Sequence, residues 1–243
     1  MVEAGEERRF DDAVAYYRKS LKLKLRHGGR DIAASTFLQL GSVAQKQRRL
    51  RPAMQYLRKS LQLALEYGDR YDAALAYRPL GNAALELAWF EEAAACFHES
   101  LEIFLEFDDW RGAASAHHDL GRLADVQDQF GEAASSYRQS LDLNLRYGDR
   151  HGAAITYGQL GNLMFRTGRH AEALDYYLNA LPILGEAADG GHLVMATLRN
   201  LARLWRAWGD DVVITRTAEV TGQTPAEIRA FFEQVPPLDP TTP

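Results

Sequence analysis

Tyr77-Arg78-Pro79-Leu80-Gly81-Asn82 and Tyr157-Gly158-Gln159-Leu160-Gly161-Asn162 stand 80 residues apart and share four of their six residues. Leu40-Gly41 and Leu120-Gly121 fill in the series, so the interval is 40. Ala53, Ala93, Ala133 and Ala173 keep that interval, and so do Leu21, Leu61, Leu101, Leu141 and Leu181. A period of about 20 to 50 residues marks a stacked array in which each unit buries its apolar face against its neighbours. Such a chain offers a long surface, which points to binding and away from catalysis.

One repeat can be read physically. Gly68-Asp69-Arg70 and Gly148-Asp149-Arg150 place a glycine where a helix ends left-handed, then an aspartate able to cap the next helix. Asp109 keeps the cap in the intervening copy, where Asp108 replaces the glycine. Ala73, Tyr77, Leu80, Gly81 and Ala84 recur at helical spacing; a break near Trp89-Phe90-Glu91 leads to Ala93, Phe97, Ser100, Leu101 and Phe104. Each repeat therefore predicts two antiparallel helices of roughly 16 to 18 residues joined by tight turns. No segment alternates with period two, so the fold class is all-α. Gly41, Gly81, Gly121 and Gly161 sit mid-helix, where glycine costs about 1 kcal/mol relative to alanine. Four in register imply close contact with the second helix, near Ala53, Ala93, Ala133 and Ala173.

Leu-Gly, an alanine twelve residues on, an aromatic four beyond it and a small residue three further resemble the tetratricopeptide repeat. Here that reads Leu80-Gly81, Ala93, Phe97, Ser100 and Leu160-Gly161, Ala173, Tyr177, Ala180. The extra residues over that family's usual period lengthen the second helix, through Leu61, Leu63, Leu65 and Tyr67. The longer form is similar to arrays in kinesin light chains, in spindle-orientation adaptors and in the C-terminal arms of bacterial signalling NTPases. The resemblance implies a right-handed α-α superhelix of about five helical hairpins, a partial N-terminal repeat and a short C-terminal capping helix.

The expected divisions are a partial repeat over 1–30, an array over 31–221, a capping helix over 222–235 and a disordered tail over 236–243. Projected backward, the repeat puts Met1 in mid-helix, so the chain is expected to be a fragment or to begin inside a longer array. That half-repeat also makes self-association plausible. Thr224-Pro225-Ala226-Glu227 reads as a capping box with proline in the first turn. Pro79 and Pro182 fall inside helices and are expected to kink them.

On each first helix a second stripe points away from the core. Its members include Arg78, Asn82 and Leu85; His118, Arg122 and Asp125; Asn162 and Phe165; and Arg199, Arg203 and Arg206. In the resembled family this stripe lines a concave face that holds peptides. It carries five arginines and one aspartate in a chain of net charge −5. Stacked cations at i, i+4 repel, so an anion is expected at Arg199, Arg203 and Arg206, with Arg166 and Arg169 extending the patch. The candidate peptide-binding residues are thus Arg78, Asn82, His118, Arg122, Asn162, Phe165, Arg166, Arg199, Arg203 and Arg206. The arginines would grip carboxylates of an acidic protein or peptide partner, and Asn82 and Asn162 would hold its backbone. The competing reading is that the arginines are an ordinary solvated face or pair with acidic residues on the next helix.

Chemistry elsewhere is sparse. Neither His-Glu-x-x-His nor Gly-x-x-x-x-Gly-Lys nor Gly-x-Ser-x-Gly occurs. His117 takes an aromatic core position, and adjacent helical residues such as His117 and His118 diverge too far to chelate, so no metal and no cofactor are expected. Cys96, the single cysteine, reads as buried and suits a reducing, cytoplasmic setting. The acidic total argues against nucleic acid, and no apolar run is long enough for a membrane span. The expectation is a non-enzymatic scaffold, the sensing or recruiting arm of a larger bacterial regulator. The alternative is the regulatory arm of a signalling NTPase or other enzyme whose catalytic domain is absent from this chain.

Overall fold

The computed structural model describes residues 12, 14–17, 19–22, 30–186 and 190–236. Eleven complete helices follow one another among them: α1 (Arg30–Lys46), α2 (Leu50–Glu66), α3 (Arg70–Glu86), α4 (Phe90–Glu106), α5 (Trp110–Val126), α6 (Phe130–Arg146), α7 (Arg150–Arg166), α8 (His170–Glu186), α9 (Gly191–Trp208), α10 (Val212–Thr221) and α11 (Pro225–Gln234). Residues 12, 14–17 and 19–22 are also helical. No strand occurs among the described residues. The remainder of the expected partial repeat over 1–30, and all of the expected tail but Pro236, lie outside them. The chain divides into two compact units, 1–123 and 124–243, the division falling within α5.

The turns explain why the helices stop in step. Gly68 and Gly148 adopt φ of 73° and 75°, and Asp69 and Asp149 then accept hydrogen bonds from the backbone N–H of Asp72 and Gly152. Asp109 does the same for Gly112. Asp108, at φ 54°, performs the glycine's task, and so do Arg48, Ala88 and Asp128 in other turns. Those four left-handed residues are not glycine, so periodicity alone had to locate their turns. Helices α3 and α8 run through Pro79 and Pro182 as unbroken elements of 17 residues.

Within the first unit, α1/α2 and α3/α4 are hairpins packed on Leu57, Leu80 and Phe97. Within the second, α7/α8 pack on Leu160, Tyr177 and Leu201, and α11 closes the cluster with Ile228 and Phe232. The mid-helix glycines meet a larger neighbour than the sequence implied. A methyl on Gly41 would lie 2.5 Å from Leu57, on Gly81 2.7 Å from Phe97, and on Gly161 2.5 Å from Tyr177. The residue sixteen positions on, rather than the alanine at twelve, fills the space that glycine leaves. Small residues three further along reach across the hairpin: Ser60 and Ser100 donate to the Ala34 and Ala74 carbonyls at 2.8 and 3.2 Å. At the other end, Thr224 and Glu227 form the expected capping box of α11, with Pro225 in its first turn.

Candidate functional site

The stripe on the first helices meets different fates in the two units. In the first, Asp119 on α5 is buried, its side chain 5% exposed, and takes Arg78 Nε at 2.8 Å and Arg122 Nη1 at 3.2 Å. Arg122 also donates to Asn82 Oδ1 at 2.8 Å, and Asn82 Nδ2 reaches Asp119 at 3.4 Å. Arg78, Asn82 and Arg122 are therefore joined through a carboxylate of their own chain. His118 sits beside them; burial lowers its pKa below the ordinary histidine value, Arg122 and Arg78 add to that, and Asp119 opposes it. At neutral pH this imidazole is uncharged.

The second unit keeps an opening. A pocket of about 410 Å³ is lined by Asn162 and Phe165 of α7, Tyr177 of α8, and Asn200 and Arg203 of α9, with Gln159, Asp125 and Arg166 at its wall. Asn162 Oδ1 accepts two hydrogen bonds, from the Tyr177 hydroxyl at 2.8 Å and from Asn200 Nδ2 at 3.0 Å. Its oxygen is thereby committed, and its amide N–H groups are what it has left to offer. Burial raises the Tyr177 pKa far above the ordinary phenol value, so that hydroxyl remains a donor. Arg203 Nη1 donates to Asn200 Oδ1 at 3.2 Å, whereas its Nε is buried without a hydrogen-bond partner. A buried, unsatisfied guanidinium nitrogen costs about 1 to 3 kcal/mol or more; a ligand acceptor would remove that cost.

The other arginines of the stripe are placed differently. Arg166 pairs with Asp125 at 2.6 Å and Asp128 at 2.8 Å and lies over the Phe130 ring, 5.0 Å from its centroid. Burial raises the Asp125 pKa, against the pull of Arg166. Arg206 donates to the Phe232 and Glu233 carbonyls and so ties α9 to the C-terminal end of α11. Arg199 is exposed. Of the candidates, the pocket brings together Asn162, Phe165, Arg166 and Arg203. Reading the stripe did not find Tyr177 or Asn200. The signal for the first was the hydroxyl gained where Phe97 stands in the earlier copy; Asn200 lies one residue off the stripe.

Sequence models described as tetratricopeptide repeat match residues 34–67, 71–146 and 152–211. The chain belongs to the tetratricopeptide repeat family. Curated proteins gave no sequence match. Among solved structures, BtubC from P. vanneervenii is 19% identical over 96% of each chain, with a TM-score of 0.73. A putative kinesin light chain from Podosopora anserina with nearly identical TPR-like repeats is 14% identical, covers 82% of this chain and 96% of its own, and gives 0.62. A Rap protein complexed with competence and sporulation factor is 13% identical over 96% of this chain and 71% of its own, with 0.69. At these identities the likeness is one of fold. Tetratricopeptide arrays are interaction scaffolds, and both units are built from such repeats. No described helix is long and apolar enough to cross a membrane, and no His, Cys, Asp and Glu cluster among the described residues has the makeup of a metal site.

Proposed function

We propose that this tetratricopeptide array binds an extended, acidic segment of another protein, and that the pocket of the second unit is where the segment is gripped. The observation that carries the reading is Arg203, whose Nε is buried without a partner beside an asparagine whose oxygen is already committed. A carboxylate at Arg203 satisfies the free nitrogen with a charge-assisted bond. The Asn162 amide is left to donate to a main-chain carbonyl, and Phe165 gives an apolar wall. Complexation of the similar Rap protein with competence and sporulation factor supports a protein or peptide ligand. In the first unit Asp119 already occupies the corresponding arginines, so that stripe contributes shape there more than charge.

Exposed Arg199 extends the cationic edge. The cellular role that fits is a sensing or recruiting arm of a larger bacterial regulator, in the cytoplasm, with the signalling-NTPase arm as its alternative form.

The test is selection from a random peptide display library on the full chain, repeated with Arg203→Gln and Asn162→Ala. Expected are peptides enriched in Asp and Glu, at least tenfold weaker on Arg203→Gln. Peptides without acidic residues, or equal binding by both variants, would overturn the proposal.

A further inference from the structure

The outer faces of α2 and α4 carry opposite charge at equivalent positions. Helix α2 has Arg51, Arg58 and Lys59 with a single acid, Glu66. Helix α4, forty residues on, has five glutamates and neither lysine nor arginine. Arg51 corresponds to Glu91 and Lys59 to Glu99, and all four are exposed. The contrast extends along the chain: residues 13–60 hold twelve Lys and Arg against one acid, Asp31, whereas residues 61–243 hold 14 against 27.

Both faces end in apolar side chains that the core leaves out. Leu65 and Leu105 are 53% and 42% exposed. These residues belong to the extension of the second helix. The two helices are neighbours, since Arg58 Nη2 meets Glu92 Oε1 at 2.7 Å. As second helices of successive hairpins they run in the same direction.

We infer that this face binds a second copy of the chain as a twofold dimer, α2 of each copy lying on α4 of the other. A twofold axis in the face, midway between the helices and at right angles to the line joining equivalent residues, sets every residue opposite the one forty positions on. Arg51 then faces Glu91, Lys59 faces Glu99 and Leu65 faces Leu105, and each contact occurs twice, as an isologous interface requires. Glu66 opposite Glu106 is the one like-charged pair, and Arg70, which bridges Glu106 at 2.8 Å, offsets it. Two helices about 25 Å long and about 10 Å apart give a footprint of roughly 500 Å², below the roughly 800 Å² per partner of a stable interface. The dimer is accordingly weak and salt-sensitive.

Sedimentation equilibrium of the full chain from about 1 to about 200 µM, in about 50 and about 500 mM salt, reads the mass against the monomer's 27.3 kDa. The expected result is a rise toward twice that mass at low salt, suppressed at high salt. R51E/K59E and E91R/E99K each place like charges across the twofold and should raise Kd at least tenfold. Mixed one to one, the two reversed chains present opposite faces and should pair with each other. Circular dichroism establishes that both variants fold; the four positions are exposed. A wild-type chain that stays monomeric at low salt would overturn the inference, including one that instead shifts a single-stranded RNA probe. So would undiminished dimerisation of either folded variant, or failure of the folded pair to associate when mixed.

Discussion

Gly161→Ala should destabilise this protein although alanine is the better helix former. The new methyl would lie 2.5 and 2.6 Å from two carbons of the Tyr177 ring, where ordinary contact is about 3.5 Å or more. That ring is 1% exposed and its hydroxyl is tethered to Asn162 at 2.8 Å, so it has to retreat by about 1 Å inside a filled core. Overpacking of this kind costs about 1 to 3 kcal/mol, and a rigid ring places it at the upper end, near 3. Helix propensity returns about 1 kcal/mol, leaving a net loss of about 2. Gly158 supplies the control, since a methyl there meets nothing within 4 Å on the same helix. Gly158→Ala should therefore stabilise by about 0.5 to 1 kcal/mol. Urea unfolding followed by circular dichroism measures both. A Gly161→Ala variant as stable as wild type, with Gly158→Ala stabilised, would refute the close-packing account.

Asp119→Ala should cost about 2 kcal/mol in the same assay, below the roughly 3 to 5 of a fully buried pair, because Arg78 and Arg122 are 40% and 39% exposed. Asp119→Asn, which keeps an acceptor, should lose less. Burial, with Glu92 adding to it, pushes the Cys96 thiol up to about 11, so the native protein at pH 8 should react with a thiol reagent at least a hundredfold more slowly than the chain in urea. A raised thiol pKa also means that its contribution to stability is intact below the ordinary value of 9.0 and disappears as pH climbs through about 11; thermal melts in alkaline buffers test this. His117 and His118 are shifted the other way, chiefly by burial. Their contribution is intact above the ordinary value of 6.5 and is lost as pH falls below it, so Tm should drop between pH 7 and pH 5, and drop less in His118→Gln.

The hairpins were legible in the sequence because their physics is local: Leu-Gly at every fortieth residue, aspartate caps after Gly68 and Gly148, and helical spacing between them. What a surface arginine meets was not legible, since helical periodicity assigns a face but not the residue across from it. The structure supplies that register. Arg78 meets Asp119, Arg166 meets Asp125 and Arg216 meets Asp175, each at a separation of 41 residues. Adjacent hairpins thus set a cation beside the residue 41 positions away, and an acid at that place neutralises it. The same rule applied to the last arginines gives a different answer. Forty-one residues back from Arg199 and Arg203 stand Gly158 and Asn162, and forty-two back stand Tyr157 and Gly161. None is acidic. Arg203 instead borrows Asn200 for one nitrogen and leaves another buried and bare. A buried guanidinium nitrogen without an acceptor is unfavourable, and on the proposed reading a ligand carboxylate supplies what lateral pairing does not. That failure, more than the number of arginines on the stripe, is why the acidic ligand is proposed for the second unit and not for the first.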